Sequence, residues 1–179
     1  DLKVYVAANS YDEVTFTFHK ENNGEIFPYW EDIKNLKVIY VENFGYFEIA
    51  VDKDDKEDTI KTITGISMEA ELAQIILRNL SINGEYDLNK DDNFTTENGK
   101  TSYKPTVLYD GSDTSHSLIH RVLSKAPHWS VGHIDSQITE NDVKISTSDV
   151  IRKFEFDNTS IYDALQEIAA ELDVVFTFD

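Results

Sequence analysis

The sequence contains no cysteine, which excludes disulfide bonds, thiolate catalysis and every zinc site that depends on cysteine ligands. Glycine is also scarce, and none of the seven glycines belongs to a glycine-rich phosphate-binding loop. No GxSxG motif marks a nucleophile elbow. No apolar run approaches the roughly 18 residues that a membrane-spanning helix needs. The sequence signatures of several enzyme and membrane classes are therefore missing.

Basic residues are few. Lys and Arg number 16 against 34 Asp and Glu, so the formal net charge is −18. A surface this acidic repels phosphate backbones and anionic lipid headgroups, which argues against nucleic-acid binding and against binding to an anionic membrane surface. The lack of a long apolar run argues against membrane insertion. Aromatic residues make up 12% of the chain, which is too many for a disordered acidic segment. The composition indicates a folded, acidic protein whose partners are neither nucleic acids nor membranes.

The ends of the sequence suggest a piece of a longer protein. The chain begins at Asp1 rather than at methionine, and it ends in VVFTFD, a pattern typical of a strand. We therefore expect further modules beyond Asp179 in the parent protein. The 179 residues suffice for one large domain or for two small ones.

The first third of the chain alternates apolar and polar residues, the period of two that predicts β-strands. The predicted strands cover residues 2–6, 14–18, 36–41, 46–51 and 59–64. Turn signals separate them, including ENNG at 21–24 and the charged hairpin loop 52–58. Short turns favour antiparallel pairing. Residues 1–66 are therefore predicted to form an antiparallel β-barrel or sandwich domain.

Residues 67–179 are predicted to form a mixed domain with three helices, which makes the fold class α+β. Three segments show helix signals: 67–80 with the stripe Leu72, Ile75, Ile76 and Leu80, 115–125, and a helix that starts near Thr159–Ser160. Asp163 completes a capping box with Ser160 in the last of these. Strands are predicted at 105–109, 129–134, 143–146, 151–157 and 174–178. The final helix and strand would lead back to the β region.

Four of the five histidines fall within residues 116–133, HSLIHRVLSKAPHWSVGH. His116 and His120 lie four residues apart on a predicted helix, so they would share a face and could bind one metal ion. The metalloprotease helix motif requires Glu after the first His, and Ser117 stands there. His128 and His133 would lie on opposite faces of a predicted strand. Ordinary surface or boundary histidines are the competing interpretation.

Two further patterns have a functional interpretation and a structural one. Asp87–Asp92 resembles the start of an EF-hand calcium loop, but position six is Asp92 rather than Gly, and position twelve is Asn98 rather than Glu. Trp30 and Trp129 could stack on sugar rings, or they could fill the ends of a small β core. A solvated acidic loop and a core role are the structural interpretations. Acidic residues are so common that no carboxylate pair stands out as a glycosidase site.

Four segments resemble the N-terminal region of siphophage and prophage tail proteins. These segments are GYFEI at 45–49, TITGISMEAELAQIIL at 62–77, SLIHRVLSKAPHWSVGHID at 117–135 and RKFEFDNTSIYDALQEIAAELDVVFTFD at 152–179. The family is that of the tail-associated lysins, or tail endopeptidases, of phages that infect Gram-positive bacteria. The resemblance runs in order along most of the chain, is weakest at 85–110 and 136–149, and rests on core and turn residues rather than on a catalytic motif.

The resemblance implies a structural role. The family's N-terminal region is similar to the hub protein of contractile phage baseplates, which trimerises into a ring at the end of the tail tube. It implies a homotrimer in the intact protein, contacts with distal tail and tube proteins, and a place in the virion at the tail tip. It further implies that this chain has no catalytic residue, cofactor or metal, because peptidoglycan cleavage belongs to C-terminal modules. Because the chain starts after the family's expected N-terminus, part of the first barrel is expected to be missing.

Two alternatives to the hub function remain open at this point. One is a cell-wall or carbohydrate-binding module that uses Trp30 and Trp129 as its platform. The other is a metal-dependent hydrolase that uses His116 and His120 as ligands. Each makes a geometric demand: the tryptophans must be exposed, or the histidines must converge.

Overall fold

The computed structural model describes residues 2–7, 11–53, 59–82 and 94–178. The chain divides into two compact units, the first comprising Asp1–Glu71 with Thr177–Asp179 and the second Leu72–Phe176. Within the described ranges the fold is mixed α+β, with strand pairs in antiparallel ladders and three α-helices. The predicted class is therefore confirmed.

The first unit is built on one five-stranded antiparallel sheet. Its strands and those of a small hairpin are β1 Lys3–Tyr5, β2 Glu13–His19, β3 Glu21–Asn22, β4 Glu25–Ile26, β5 Lys37–Val41, β6 Gly45–Lys53 and β7 Ile60–Ser67. The order across the sheet is β1-β2-β7-β6-β5, and β3 pairs only with β4. Because β1 and β5 lie at opposite edges and do not pair with each other, the sheet is open. The sequence predicted a barrel or a sandwich, and the described residues form no closed barrel.

The sheet has two faces of different character, because successive side chains on a strand point to opposite sides. The inner face carries the core of the first unit, with Val14, Phe47, Ile49 and Ile63 buried almost completely. The outer face carries threonines, acidic residues and exposed aromatic side chains. Among the described residues, the segment that follows β4 covers part of the inner face.

That covering segment is shaped by local turn chemistry. Asn23 and Gly24 have φ angles of 55° and 84°, the left-handed pair that a two-residue hairpin between β3 and β4 requires. The chain then returns towards the sheet, where the Phe27 N–H donates to the Lys20 carbonyl at 2.8 Å. A single 3₁₀ turn follows at Trp30–Asp32 and places the Trp30 ring in the core.

The second unit contains short two-stranded pairs and helices. Its elements, together with the helix that joins the two units, are α1 Ala70–Gln74, β8 Ile76–Leu77, β9 Leu80–Ile82, β10 Phe94–Glu97, β11 Lys100–Tyr103, α2 Leu118–Leu123, β12 Gln137–Glu140, β13 Val143–Ser146, β14 Phe154–Phe156, β15 Thr159–Ser160 and α3 Ile161–Leu172. The antiparallel pairs are β8 with β15, β9 with β14, β10 with β11, and β12 with β13.

The prediction of one helix over 67–80 is wrong. Gly65 and Ser67 belong to β7, α1 has only five residues, and the rest of the supposed stripe forms β8 and β9. Asn79 adopts a φ of 51° and turns the chain between these two strands. Each strand then finds a distant partner, with Ile76 opposite Ser160 and Ile82 opposite Phe154. A run of apolar residues fits both the helical period and the strand period. Here the pairing of each segment with a distant strand determines that it forms a strand.

The helix α3 is confirmed at the predicted place. The Ser160 hydroxyl accepts the Asp163 N–H at 3.0 Å, which is one half of the predicted capping box, and the same hydroxyl donates to the Asp163 carboxylate at 2.6 Å. The predicted apolar stripe is buried at Ile161, Leu165, Ile168 and Leu172. The left-handed Asp173, with a φ of 51°, ends the helix.

Two predicted strands are absent from the described residues. Residues 129–134 and 174–178 pair with no other strand, although their sequence patterns are typical of strands. Residues 105–109 make only an isolated bridge, from Val107 to Ser117. The strand at 143–146 is confirmed as β13, and its partner β12 was not predicted. Alternation alone cannot show whether a segment finds a neighbour to pair with.

Candidate functional site

The histidine segment does not form the helix face that a metal site would need. His116 ends a 3₁₀ turn, and Ser117 is extended, with a φ of −113° and a ψ of 119°, before α2 begins at Leu118. The Val107 N–H donates to the His116 carbonyl at 2.9 Å, and the Leu118 N–H donates to the Val107 carbonyl at 2.8 Å. This bridge straightens the chain between His116 and His120. The predicted helix over 115–125 is therefore wrong at its start.

His116 belongs to a small polar network centred on Asp113. The Lys104 ammonium donates to Asp113 Oδ2 at 2.5 Å, the Ser115 hydroxyl donates to Oδ1 at 2.6 Å, and His116 Nδ1 lies 3.0 Å from Oδ2. The hydrogen bond from Lys104 is the first cause that holds the pKa of Asp113 well below its ordinary value. The same bond raises the pKa of Lys104. His116 itself is buried, so the network fixes the 3₁₀ turn and exposes no imidazole to a substrate.

His120 has different neighbours. Its Nδ1 lies 2.8 Å from the Ser117 hydroxyl oxygen, and its ring stacks on Tyr109 with the ring centroids 5.2 Å apart. A serine beside a histidine is the first requirement of nucleophilic catalysis. Ser117, however, has no exposed surface, so a substrate cannot reach its hydroxyl in this fold. The pair is best explained as a buried hydrogen bond that steadies the start of α2.

The remaining candidate ligands are also apart. His133 is highly exposed and lies 3.5 Å from Asp135, while His128 is an exposed residue beyond α2. In the part of the chain that the structure describes, no group of three or more His, Asp or Glu residues could hold a metal ion. Asp87–Asp92 of the calcium-loop hypothesis lie outside the described residues. Asn98, at position twelve of that loop, forms the turn between β10 and β11 with a φ of 52°.

The Asp113 network gives a testable pH dependence. Asp113→Asn should lower the free energy of unfolding by about 1 kcal/mol at pH 7, because three polar contacts lose their charged acceptor. A carboxylate whose pKa is depressed on folding stabilises the fold above its unfolded pKa of about 4 and loses that contribution as the pH falls further. The difference in melting temperature between wild type and variant should therefore narrow below about pH 4. Asp135→Asn, at a carboxylate that is almost fully exposed, is the matched control and should change neither value.

Trp30 cannot serve as a sugar platform, because its side chain is only 2% exposed. Its ring lies under the ammonium of Lys61, which is 4.2 Å from the ring centroid. That ammonium also donates to the Trp30 carbonyl at 2.6 Å and to the Ile33 carbonyl at 3.1 Å. Lys61 thus directs its ammonium to two carbonyls and an aromatic face. Trp129 is half-buried, so neither tryptophan offers an open ring.

A cleft lies on the inner face of the first unit, between the sheet and the covering segment. It has a volume of about 460 Å³, and it is lined mainly by apolar side chains: Phe16, Phe18, Phe27, Tyr29, Ile33, Ile39, Ile49 and Ile63. Its aromatic wall is continuous, with ring centroids 4.6 Å apart for Phe18 and Phe27 and 5.8 Å apart for Phe27 and Tyr29. We refer to this feature as the inner cleft.

A second, more polar cleft adjoins the inner cleft at Phe18 and Phe27. It has a volume of about 780 Å³ and lies against the hairpin formed by β3 and β4. Its polar and charged lining residues are Thr17, His19, Glu21, Asn22, Asn23 and Glu25. We refer to it as the hairpin cleft. Sequence reasoning found neither cleft, although the alternation of Val14, Phe16 and Phe18 already placed aromatic side chains on one face.

The outer face of the same sheet mixes exposed apolar side chains with threonines and glutamates. Glu13 and Glu48 alternate with apolar residues along one row across the strands. The exposed apolar side chains, with their exposed fractions, are Tyr5 at 55%, Val38 at 50%, Tyr40 at 63%, Tyr46 at 50% and Ile66 at 46%. Tyr40 and Tyr46 are cross-strand partners whose ring centroids lie 5.1 Å apart. Both rings remain at least half exposed among the described residues.

No helix among the described residues is long and apolar enough to cross a membrane. Comparisons of the chain with protein-family models, with curated proteins and with solved structures found no match. The geometry of the clefts and of the outer face is therefore the basis for assigning a function.

Proposed function

We propose that this chain is a structural module of a phage or prophage tail tip, of the baseplate-hub kind, which acts by protein–protein assembly. The sequence resemblance to tail-associated lysins suggests the setting. The outer face of the first unit is the observation that supports assembly most directly. Exposed tyrosines set among polar side chains are typical of surfaces that a partner covers.

The outer face has the composition of a protein interface rather than of a catalytic surface. Tyrosine is enriched at interfaces because its ring gives a large apolar contact while its hydroxyl remains able to form hydrogen bonds. Tyr40 and Tyr46 form a rigid pair on neighbouring strands, so little side-chain entropy is lost when a partner packs on them. In the hub hypothesis, the partner is another copy of the intact protein or a distal tail or tube protein.

The acidic surface fits the same setting. With a formal net charge of −18, a ring of such subunits would repel DNA and would let it slide past without binding. His116 Nδ1 and His120 Nδ1 each already have a hydrogen-bond partner in a neighbouring side chain, Asp113 and Ser117 respectively. The proposal therefore assigns this chain no reaction.

Location in the virion is the direct test. An antibody raised against the chain should label the tail tip in immunogold electron micrographs of phage particles induced from the bacterial strain that encodes it. Light scattering on the intact parent protein should give the mass of a trimer. Labelling confined to the bacterial cell wall, or particles that lack the protein, would refute the proposal.

The outer face can be tested separately in the phage gene. Tyr40→Glu combined with Tyr46→Glu should lower the yield of infectious particles at least tenfold, because the carboxylates would be buried where the proposed partner packs. Both side chains are at least half exposed, so the variant should retain the melting temperature of the wild type. Val143→Glu, at an exposed apolar residue of the second unit, is the control and should leave the yield unchanged. Equal loss in both variants would show that the effect is not specific to this face.

A further inference from the structure

The inner cleft has the properties of a binding site rather than of a packing defect. Its volume of about 460 Å³ falls within the range of roughly 300–1,000 Å³ that ligand sites occupy. Its floor is rigid, because Ile49 and Ile63 are central in the sheet and are buried at 2% and 1% exposure. Its rim is open, because Tyr29 is 63% exposed.

The outer wall of the inner cleft is held in place by the buried lysine. The Lys61 ammonium binds the carbonyls of Trp30 and Ile33, which lie at the two ends of the 3₁₀ turn. A second anchor is the hydrogen bond from the Phe27 N–H to the Lys20 carbonyl. The covering segment is therefore fixed at both ends and cannot simply fold down to fill the cleft. A preformed apolar cleft that stays open has apolar surface available for a partner.

The two clefts share Phe18 and Phe27 in their linings, and we refer to them together as the groove. The inner cleft extends from β5, where Lys37 and Ile39 line it, to β2, where Phe16 and Phe18 line it. Those strands are three intervals apart in the sheet, which corresponds to about 14 Å. The hairpin cleft continues from Phe18 and Phe27. An extended peptide of four or five residues spans about 14 Å, the length of the inner cleft, and further residues would continue into the hairpin cleft.

The charges along the groove indicate the polarity of its occupant. The inner cleft has one carboxylate, Asp32, and one ammonium, Lys37, so its charges balance. The hairpin cleft has two carboxylates, Glu21 and Glu25, and no lysine or arginine among its lining residues. None of these three carboxylates forms an ion pair with another described residue. A partner with apolar side chains at one end and basic side chains at the other is the complementary ligand.

We infer that the groove binds a short segment of another protein, in which a run of apolar residues that fills the inner cleft is joined to Lys or Arg residues that reach the hairpin cleft. An acidic or uncharged segment would leave Glu21 and Glu25 facing no opposite charge. The inference goes beyond the proposed function, since none of the outer-face tyrosines lines either cleft.

Synthetic peptides test the inference with the purified chain. One fluorescein-labelled nonapeptide has five apolar residues followed by four residues that include three lysines. A second has the same composition in scrambled order, and a third replaces lysine by glutamate. At 150 mM salt, fluorescence anisotropy should give the first peptide a Kd at least tenfold lower than that of either other peptide. Equal affinity of the ordered and scrambled peptides would show general attraction of cations to an acidic protein and would overturn the inference.

Matched variants locate the binding. Tyr29→Ser should weaken the ordered peptide at least fivefold, whereas Tyr46→Ser, at a similarly exposed tyrosine of the outer face, should not. Glu21→Gln with Glu25→Gln should weaken binding and reduce its salt dependence, whereas Glu167→Gln with Glu171→Gln should do neither. All four glutamates are exposed, so the two double variants remove the same charge without loss of packing.

The remaining outcomes also decide the question. If the neutral dye Nile red binds in a manner that Tyr29→Ser abolishes, but the ordered peptide neither binds nor displaces it, the groove is a site for a small apolar molecule and the inference is wrong. Self-association of the chain that Tyr29→Ser abolishes would also overturn it, in favour of a second copy. The tail-tip proposal has separate readouts, particle labelling and virion yield, so either proposal can fail alone.

Discussion

Replacement of Trp30 by alanine should lower the free energy of unfolding by about 4 kcal/mol, the upper part of the range for large core aromatics. The ring is 2% exposed and supports both the 3₁₀ turn and the ammonium of Lys61 above it. Its loss would leave a cavity and would remove the aromatic partner of a buried cation. Urea denaturation followed by far-ultraviolet circular dichroism measures the change, and Trp129 provides a fluorescence signal in the variant.

Two companion variants separate the contributions of Trp30. Trp30→Phe should cost only about 1 kcal/mol, because a ring remains and the buried indole N–H makes no hydrogen bond with any described residue. Lys61→Met should cost about 2 kcal/mol, since two buried carbonyls lose their donor. The double variant Trp30→Ala with Lys61→Met should be at least 1 kcal/mol less destabilised than the sum of the single changes. Simple additivity would show that the ring and the ammonium do not interact.

The buried lysine also links the fold to the proposed groove. Lys61 is 4% exposed and has no carboxylate among its described hydrogen-bond partners, although the chain has 34 acidic residues. Carbonyl groups at the end of a helical turn carry partial negative charge, and the face of an indole ring does so as well. These groups take the place of a carboxylate around the ammonium. Lys61→Met should consequently weaken peptide binding in the groove as well as stability, because the outer wall loses its anchor.

Sequence reasoning succeeded where the decisive interactions are local. The helix α3 has its N-cap at Ser160, its capping partner three residues later and its apolar stripe within one segment, so every signal lies within a single short stretch. The strands of the first unit were located for the same reason, since alternation is visible within each strand. Their order in the sheet was not, because β7 pairs with β2 across more than 40 residues and no local pattern specifies that pairing.

The wrong predictions concern segments whose decisive interactions are long-range. The segment after Ser67 has an apolar spacing that suits a helix, but Ile76 and Ile82 pair with residues more than 70 positions later in the chain. The predicted histidine face failed because Val107 bridges to Ser117 and breaks the helical spacing between His116 and His120. In both places a long-range backbone contact determined the local structure. Propensity is a weak prior in such segments, and tertiary pairing overrides it.

The candidate site shows a similar limit. The alternation in β2 placed Phe16 and Phe18 on one face, which the structure confirms as the inner face. Whether that face would be sealed or open depends on the path of the covering segment, and this path depends on Lys61, more than 25 residues away. A sequence can therefore predict an apolar face without predicting a cleft. The sequence likewise shows the tyrosines of the outer face, but it does not show that they lie together on one exposed surface.

Gly65→Ala should destabilise the first unit by about 2–3 kcal/mol, a penalty of the size that overpacked cores show. Gly65 lies in the central strand β7, directly opposite Val14 of β2. A Cβ atom at Gly65 would lie 2.7 Å from Val14 Cγ1 and 3.3 Å from the Glu48 carbonyl oxygen. Because backbone on one side and a buried side chain on the other confine it, the new methyl group has no free space. Gly132→Ala, where no atom lies within 4 Å of the new Cβ, should change stability by less than about 0.5 kcal/mol.

A compensating change tests whether Val14 is the obstacle. Val14→Ala alone should cost about 2 kcal/mol, because it removes two methyl groups from a fully buried site. The same change removes the atom that the methyl group introduced by Gly65→Ala would strike. Gly65→Ala with Val14→Ala should therefore be at least 1 kcal/mol more stable than the sum of the two single changes predicts. If the two effects simply add, the strain that Gly65→Ala introduces is relieved against the Glu48 carbonyl, through movement of β6 rather than of β2. If Gly65→Ala costs nothing, the close approach of β2 and β7, on which the floor of the inner cleft depends, is wrong.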